Sequence, residues 1–362
     1  MERGRLYTVA WTILIGTALF CALSVDVGAF VLPFLQNAHY SGDFTVFWNA
    51  SRTPIDSIYA YPLPYDGGIE ATGPYINPPS FLLFLYPFGI LPFYWALVTW
   101  GLLGLTAFVA VSRHVVRPWH LAIAAISPPM FLALVSGQTT LFSSAATLFA
   151  MFVLPRRPLM AGAILGLIAT VKPQAVLLAP LVLLVCNQWR ALASALTAGL
   201  IVFGVSLALH GVDTWFGWLD ALNRFQEIAA KPHMIGKGPT PATLAYMLGL
   251  DGLPCALLIV VGAAVGIVAA WRTFRTSEDP LLRLTALVAG SLLVTPYASP
   301  YEATPLLLLG AVMLLDRRGH PLPWLLGFLL VSQLLQPVGV LAVAIWLIHR
   351  SMGIEANLID IK

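Results

Sequence analysis

An aspartate in an aromatic segment is the first candidate for chemistry in this sequence. Asp43 lies in the stretch YSGDFTVFW, residues 40–48. A carboxylate in so apolar a setting is suited to act as a general base, because it can take a proton from a substrate hydroxyl. The Gly-Asp pair before an apolar run also fits the start of a helix, where Asp43 would cap free backbone N–H groups. Both roles are open from spacing alone.

A lysine that interrupts an apolar run is the second candidate. Lys172 lies in TVKPQ, residues 170–174, and has no acidic neighbour in the sequence. A charged side chain at membrane depth is costly and marks a functional site by default. Pro173 ends the helix at this point, and an ammonium at a helix terminus can hold a phosphate. The alternative is that Lys172 extends to lipid headgroups, the behaviour called snorkelling.

Two polar joints between apolar segments complete the set. The first is SGQT, residues 136–139, which contains Gln138 and is expected on the same side as Lys172. The second is TPYASPYE, residues 295–302, which contains Tyr301 and Glu302. Glu302 begins an apolar run, so it either caps a helix or orients a sugar hydroxyl.

The composition predicts the elements that carry these residues. Apolar residues make up 59% of the 362 positions and charged residues only 10%, whereas soluble chains carry about a quarter charged residues. The chain therefore needs a bilayer as solvent, and helices are expected. Cys21, Cys186 and Cys255 lie in apolar runs, so neither a disulfide framework nor a zinc site is predicted.

Apolar segments recur along the whole chain. They lie near residues 9–33, 79–111, 119–135, 139–154, 159–171, 175–186, 191–209, 253–270, 281–295, 303–315, 323–335 and 338–348. We predict an all-α, polytopic membrane helical bundle of about 12 spans, within a range of 10–14, forming one transmembrane domain over residues 1–362. Several segments are shorter than the roughly 20 residues of a straight span, so they should be packed inside the bundle, broken or extended.

The distribution of basic residues predicts the orientation. With twelve spans and a cytoplasmic N-terminus, five of the 19 Lys and Arg residues fall outside: Arg52, Lys172, Arg224, Lys231 and Lys237. The other fourteen fall on the inner side, as the positive-inside rule requires. The first segment is predicted to be a retained span rather than a cleaved signal peptide. We expect a multi-pass protein of the bacterial inner membrane with its active site on the periplasmic face.

Two long segments lie outside in this topology, residues 36–78 and 210–252. Residues 36–78 are rich in aromatic residues, which predicts short helices at the membrane interface. In the second segment Trp215 and Trp218 are three residues apart and His233 follows. Aromatic rings beside cations suit sugar stacking and phosphate pairing, but an interfacial helix has the same composition.

The arrangement resembles glycosyltransferase family 87, membrane enzymes of the GT-C type that use polyprenyl-phosphate sugars and include mannosyltransferases. The resemblance covers about residues 35–305. It depends on GDF at 42–44 with Trp48 and Tyr59 downstream, YINPP at 75–79, FGILP at 88–92, Gly137-Gln138, AGAILG at 161–166 with Lys172-Pro173, and WRA at 189–191. Family members often carry Trp and His after a late Ser-Pro, where this chain has Tyr301 and Glu302.

The resemblance implies roles for the candidate residues. A lipid donor would enter from the outer leaflet, and Asp43 would be the general base. We assign Lys172, Arg52 and Gln138 to the donor phosphate. The residues assigned to the substrates are Trp48, Tyr59, Asn77, Tyr301, Glu302, Trp215 and His233.

The resulting hypothesis is an inverting glycosyltransferase. It would move a sugar, mannose or another hexose, from a polyprenyl-phosphate donor to a lipid or glycan acceptor hydroxyl. No Asp-x-Asp motif occurs in the chain, so neither a metal nor a cofactor is expected, and nucleic acid is not an expected partner. The alternatives are a transporter or lipid flippase with Lys172 and Glu302 in its pathway, and a catalytically silent assembly partner.

Overall fold

The computed structural model of the chain describes residues 42–60, 73–229, 238–316 and 321–353. Their regular secondary structure consists of α-helices and short 3₁₀ helices, with no strand among these residues. The all-α prediction is therefore confirmed for this part of the chain. The predicted first span at 9–33 and His233 lie outside the described residues.

The helices follow one another with short connections. The α-helices are α1 (Gly42–Ala50), α2 (Leu82–Gly89), α3 (Phe93–Ser112), α4 (Pro118–Ile126), α5 (Pro128–Val135), α6 (Thr140–Val153), α7 (Pro158–Val171), α8 (Ala179–Val185), α9 (Trp189–His210), α10 (Val212–Ala229), α11 (Pro241–Met247), α12 (Gly252–Thr276), α13 (Pro280–Val294), α14 (Leu307–Asp316), α15 (Pro321–Val331) and α16 (Gln336–Ser351). The 3₁₀ helices are Ile55–Ser57, Pro79–Phe81, Pro173–Val176 and Pro300–Leu306.

Proline residues set several helix boundaries. The sequence predicts that Pro87 and Pro92 divide the apolar segment 79–111. Pro92 does separate α2 from α3, but the prediction for Pro87 is wrong because this residue is accommodated inside α2. The segment predicted at 119–135 is divided into α4 and α5, which are bent by 70°. Ser127 is extended there because it precedes Pro128, and a residue before proline is disfavoured in the helical conformation.

Helix lengths divide the described helices into two groups. α3, α9 and α12 are long and apolar enough to cross a membrane, and the bent pair α4–α5 could form a fourth span. α6, α7 and α13 are apolar but shorter, with 14, 14 and 15 residues. Residues 281–293 of α13 are all buried, so a short helix here is enclosed by its neighbours rather than by lipid.

Small residues allow α7 and α9 to approach closely. A Cβ atom added at Gly162 would lie 2.0 Å from the carbonyl oxygen of Ala191, and one added at Gly166 would lie 2.2 Å from that of Ala195. Such spacing of small residues every fourth position is the usual way in which membrane helices pack backbone against backbone. The contact fixes α7, and α7 ends at Lys172.

Two adjacent basic residues, Arg156 and Arg157, lie at helix ends remote from Lys172. α6 begins at Thr140, which contacts Lys172, and α7 ends next to Lys172; their other ends are joined through Arg156 and Arg157. A second link at a basic helix end joins α12 to α16, where Arg272 Nε donates to Ser351 Oγ at 2.8 Å.

Candidate active site

Two glycines place α1 against the joint between α5 and α6. Gly42 has φ +59° and Gly137 has φ +62°, a left-handed conformation that favours glycine. A Cβ atom at Gly42 would lie 2.4 Å from Ser136 Cα, and one at Gly137 would lie 2.5 Å from Phe44 Cβ. The Phe44 amide donates to the Ser136 carbonyl at 2.9 Å. The two backbones are therefore in contact, which sets Asp43 beside Gln138.

The carboxylate of Asp43 is held by two donors on one oxygen. Gln138 Nε2 and the Tyr301 hydroxyl both donate to Asp43 Oδ2, the latter at 2.7 Å. Gln138 Nε2 also lies 2.9 Å from the Tyr301 oxygen. Asp43 belongs to the first turn of α1, and its carboxylate is directed to side chains of other elements. The helix-cap interpretation therefore does not describe its contacts.

Lys172 is buried and paired. It follows the last residue of α7 in a non-helical conformation (φ −148°, ψ 75°), because Pro173 follows it. Its Nζ lies 2.8 Å from Glu302 Oε1, 3.2 Å from Thr140 Oγ1 and 3.4 Å from Gln138 Oε1. With 3% of the residue exposed, its amine cannot reach lipid headgroups, so the snorkelling alternative is wrong.

One cluster thus joins five predicted residues, Asp43, Gln138, Lys172, Tyr301 and Glu302, from four regions of the sequence. Gln138 is central because its amide nitrogen donates a hydrogen bond to Asp43 and its amide oxygen accepts one from Lys172. The Lys172 ammonium also lies 5.4 Å from the centre of the Tyr301 ring, within the range of a cation–π contact.

Tyr301 and the nearby Tyr297 both keep their protons. Burial raises the pKa of Tyr301 well above its usual value, and the charges of Asp43 and Glu302 raise it further. Burial also raises the pKa of Tyr297, whose hydroxyl lies 3.3 Å from Ser299 Oγ. Tyr301 is therefore a permanent donor to Asp43.

The geometry leaves one oxygen of Asp43 available. Oδ2 accepts two hydrogen bonds, and no partner of Oδ1 is found among the described residues. A base needs a free lone pair within reach of the proton it removes. The arrangement is suited to proton abstraction at Oδ1, with the carboxylate oriented by Gln138 and Tyr301.

An apolar groove reaches the cluster. It has a volume of about 260 Å³ and is lined by Lys172 and by aromatic residues that include Phe84, Phe88 and Phe142. A larger apolar groove of about 450 Å³ lies between α7 and α9 and is bordered by Thr170 and Pro173. Both grooves lie next to the end of α7.

Comparison with known proteins decides the family. The model of glycosyltransferase family 87 matches residues 75–296, which is more than half of the chain. The chain belongs to glycosyltransferase family 87. No curated protein and no solved structure gives a significant match. Family 87 membership makes the chain a glycosyltransferase, as the resemblance implied, and the transporter interpretation is set aside.

The family 87 match covers part of the cluster. Gln138 and Lys172 lie within residues 75–296, whereas Asp43, Tyr301 and Glu302 lie outside them. The structure brings the residues from outside the matched stretch into contact with those inside it.

Two of the predicted residues lie at the join between α2 and α3. Trp48 is buried, and its indole N–H donates to the Leu91 carbonyl at 3.0 Å. Arg52 donates to the Gly89 carbonyl at 2.9 Å, and its guanidinium lies 4.6 Å from the centre of the Trp48 ring. These contacts hold α1 against α2 and α3.

Three other predicted residues, Tyr59, Asn77 and Trp215, lie outside the cluster. The Tyr59 hydroxyl donates to the Asn77 carbonyl at 2.8 Å, and Asn77 Nδ2 donates to the Val171 carbonyl at 3.4 Å. Trp215 packs on Phe203, with ring centres 4.6 Å apart. Asn77 thus contacts Val171, the residue before Lys172. Trp215 contacts α9 through Phe203 and lines the larger groove.

α6 has a face of hydroxyl-bearing residues that was not predicted from the sequence. Thr140 contacts Lys172 directly, and Ser143, Ser144 and Thr147 follow it at helical spacing along a small polar cavity. The signal was present, since hydroxyls at positions i, i+3, i+4 and i+7 of an apolar helix share one face.

Replacing Tyr301 by Phe tests its positioning role. We expect kcat to fall by about tenfold or more, because a hydrogen bond to a charged group contributes about 1.5–3 kcal/mol. Tyr297→Phe is the matched control and should stay within about twofold, since Tyr297 does not contact Asp43. Rates would be measured with purified protein across pH.

The pH dependence of activity shows whether Tyr301 only orients Asp43 or also loses its proton in the working pH range. Because the pKa of Tyr301 is raised, its hydroxyl stays protonated up to and beyond about pH 10, its ordinary pKa. If wild-type activity falls at high pH, the same fall should therefore be seen in Tyr301→Phe. An alkaline limb that disappears in this variant would contradict the assignment of a permanent donor.

Proposed function

We propose that this glycosyltransferase moves a sugar, mannose or another hexose, from a polyprenyl-phosphate donor to the hydroxyl of a lipid or glycan acceptor, with inversion. The observation that carries the proposal is the cluster in which Asp43 and Lys172 are joined through Gln138. The transfer needs a base and a cation, and here one side chain, that of Gln138, contacts both.

In the proposed reaction Asp43 Oδ1 takes the proton of the acceptor hydroxyl. The acceptor oxygen forms a bond to the anomeric carbon from one face, while the bond between that carbon and the phosphate oxygen breaks on the other face. The phosphate leaves with the electron pair, and Lys172 offsets the charge that develops on it. Because attack and departure occur on opposite faces, the configuration of the sugar is inverted.

A lipid-linked donor is supported by the surroundings of Lys172. The apolar groove of about 260 Å³ includes Lys172 in its lining, so an isoprenoid chain in the groove would present its phosphate to the ammonium. A nucleotide-sugar donor would instead need polar contacts for base and ribose, and the lining of this groove is predominantly aromatic and aliphatic.

The membrane arrangement belongs to the same proposal. We infer a GT-C type bundle of about twelve spans in the bacterial inner membrane, with residues 36–78 and 210–252 in the periplasm. Support comes from the helix ends: Arg113, Arg156 and Arg157 lie at ends of α3, α6 and α7 remote from Lys172, and basic residues favour the cytoplasmic side.

The donor class is tested with purified protein in detergent. Polyprenyl-phosphate mannose and a nucleotide-linked mannose are each supplied with a membrane-lipid extract as acceptor, with and without EDTA. We expect mannose transfer from the lipid donor alone, unaffected by EDTA, with a product of opposite anomeric configuration. Transfer from the nucleotide sugar alone would overturn the proposal.

A further inference from the structure

The Lys172 ammonium has no hydrogen left for a phosphate. An ammonium carries three N–H donors, and Lys172 Nζ has three partners: Glu302, Thr140 and Gln138. A phosphate can bind Lys172 only if it replaces one of them. The three partners are not equivalent, because Glu302 alone among them is an acid.

The charge balance identifies the partner that must leave. The cluster holds the carboxylates of Asp43 and Glu302 against the one ammonium of Lys172. Adding a phosphate while Glu302 stays in place would bring a third anion to the same buried cation. Like charges at such short range are strongly unfavourable where water is scarce.

We propose that Glu302 occupies the phosphate position on Lys172 in the empty enzyme, and that the phosphate of the lipid donor displaces it. The inference rests on the proposed function, since it takes a polyprenyl-phosphate donor as the ligand. It adds a specific role for Glu302, an exchangeable counter-ion that keeps the buried lysine paired between substrates.

The structure offers the displaced carboxylate a place to go. Glu302 lines a polar cavity of about 20 Å³, which is room for one water molecule or a carboxylate oxygen. The other polar residues lining it are Thr140, Ser143, Ser144, Thr147, Gln174 and Thr295. The hydroxyls of Ser143, Ser144 and Thr295 already donate to helix carbonyls. The groups that can donate to a carboxylate once it has left Lys172 are therefore the hydroxyls of Thr140 and Thr147 and the amide of Gln174.

The Lys172–Glu302 pair lies between this cavity and the apolar groove. Lys172 lines the groove, Glu302 lines the polar cavity, and Ser143 borders both. A phosphate arriving with its lipid chain in the groove therefore meets Lys172 on the groove side, while the cavity is open to Glu302. Exchange needs only a side-chain rotation.

The exchange also has a consequence for product release. After transfer the leaving polyprenyl phosphate is a monoester with a charge of about −1.5 to −2 at pH 7, more than the phosphodiester donor carries. It would hold Lys172 more tightly than the donor does. The return of Glu302 to Lys172 competes with the product and speeds its departure.

The test compares the binding of a short-chain polyprenyl phosphate by purified wild type and variants. We expect Glu302→Gln to bind about tenfold tighter or more, because the competing carboxylate is gone. Asp43→Asn is the matched control, since it removes one negative charge from the same cluster without freeing Lys172, and should stay within about threefold. Lys172→Gln should lose the binding. Damage to the fold would weaken binding, so tighter binding by Glu302→Gln could not be attributed to unfolding.

Kinetics give the second arm. In Glu302→Gln we expect repeated turnover to slow relative to the first turnover, and inhibition by polyprenyl phosphate to become about tenfold stronger. Should Glu302→Gln not fold, Thr147→Val tests the exchange instead. It removes a hydroxyl from the cavity that would receive the Glu302 carboxylate, so binding of polyprenyl phosphate should weaken by about threefold. Unchanged binding would overturn the exchange.

The outcomes separate the inference from the proposed function. If wild type neither binds polyprenyl phosphate nor transfers sugar from it, the donor class is wrong. If wild type binds it and Glu302→Gln binds no tighter, the exchange is wrong and the donor class stands. If Asp43→Asn gains as much as Glu302→Gln, the effect is general electrostatics and the exchange is again overturned.

Discussion

Asp43→Asn is expected to lower kcat by about 10²- to 10⁴-fold, the usual contribution of a general base. The substitution is almost isosteric, and the asparagine oxygen can still accept from Gln138 and Tyr301, which hold Oδ2 in the wild type. What is lost is the capacity to take a proton. The measurement is turnover of polyprenyl-phosphate mannose by purified protein, with donor binding measured alongside.

The control for this substitution is Asp56→Asn. Asp56 is an exposed acid in the 3₁₀ helix Ile55–Ser57, shortly after α1. Its removal changes the charge of the same segment by the same amount and should leave kcat within about twofold. Retained turnover in Asp43→Asn, with normal folding, would remove Asp43 as the base.

Asp43 and Lys172 could be singled out as candidates from the sequence because their environment is local. An ionisable residue within an apolar run is costly wherever the run folds, so Lys172 is conspicuous without any knowledge of its partner. Glu302 was also noticed, at the start of an apolar run. That the two residues pair at 2.8 Å depends on how α7 packs against the 3₁₀ helix Pro300–Leu306, and this register is not a local property.

The helix breaks also show the difference between features that depend on local sequence and features that depend on packing. Pro92 was expected to break its segment and does so, whereas the 70° bend between α4 and α5 was not expected. Whether a proline ends, bends or is absorbed by a helix depends on what can satisfy the freed backbone groups. Neighbouring helices provide this, and the sequence does not specify them.

The aromatic and basic residues of segment 36–78 were the hardest to interpret. Trp48 and Arg52 have the residue types of a sugar-phosphate site, but the structure engages them with the Leu91 and Gly89 carbonyls. An indole or a guanidinium serves equally well to satisfy a backbone carbonyl at a helix end. Composition alone does not separate the two uses.

Lys172→Gln is expected to lower kcat/KM for the donor by about 10²-fold or more, the scale of removing a charge-stabilising group from a transition state. It should also destabilise the protein by about 3–5 kcal/mol, because Glu302 would be left buried without its cation. A fall in activity would then have two explanations, loss of the phosphate site and loss of the fold.

The double variant Lys172→Gln with Glu302→Gln separates these explanations. Replacing both charges of a buried pair by neutral groups is often close to neutral for stability, so the thermal unfolding midpoint should return most of the way to the wild-type value. Sugar transfer should not return, because no ammonium faces the leaving phosphate. A double variant that transfers sugar at the wild-type rate would mean that Lys172 serves only to neutralise Glu302, and the cation would then have no part in the chemistry.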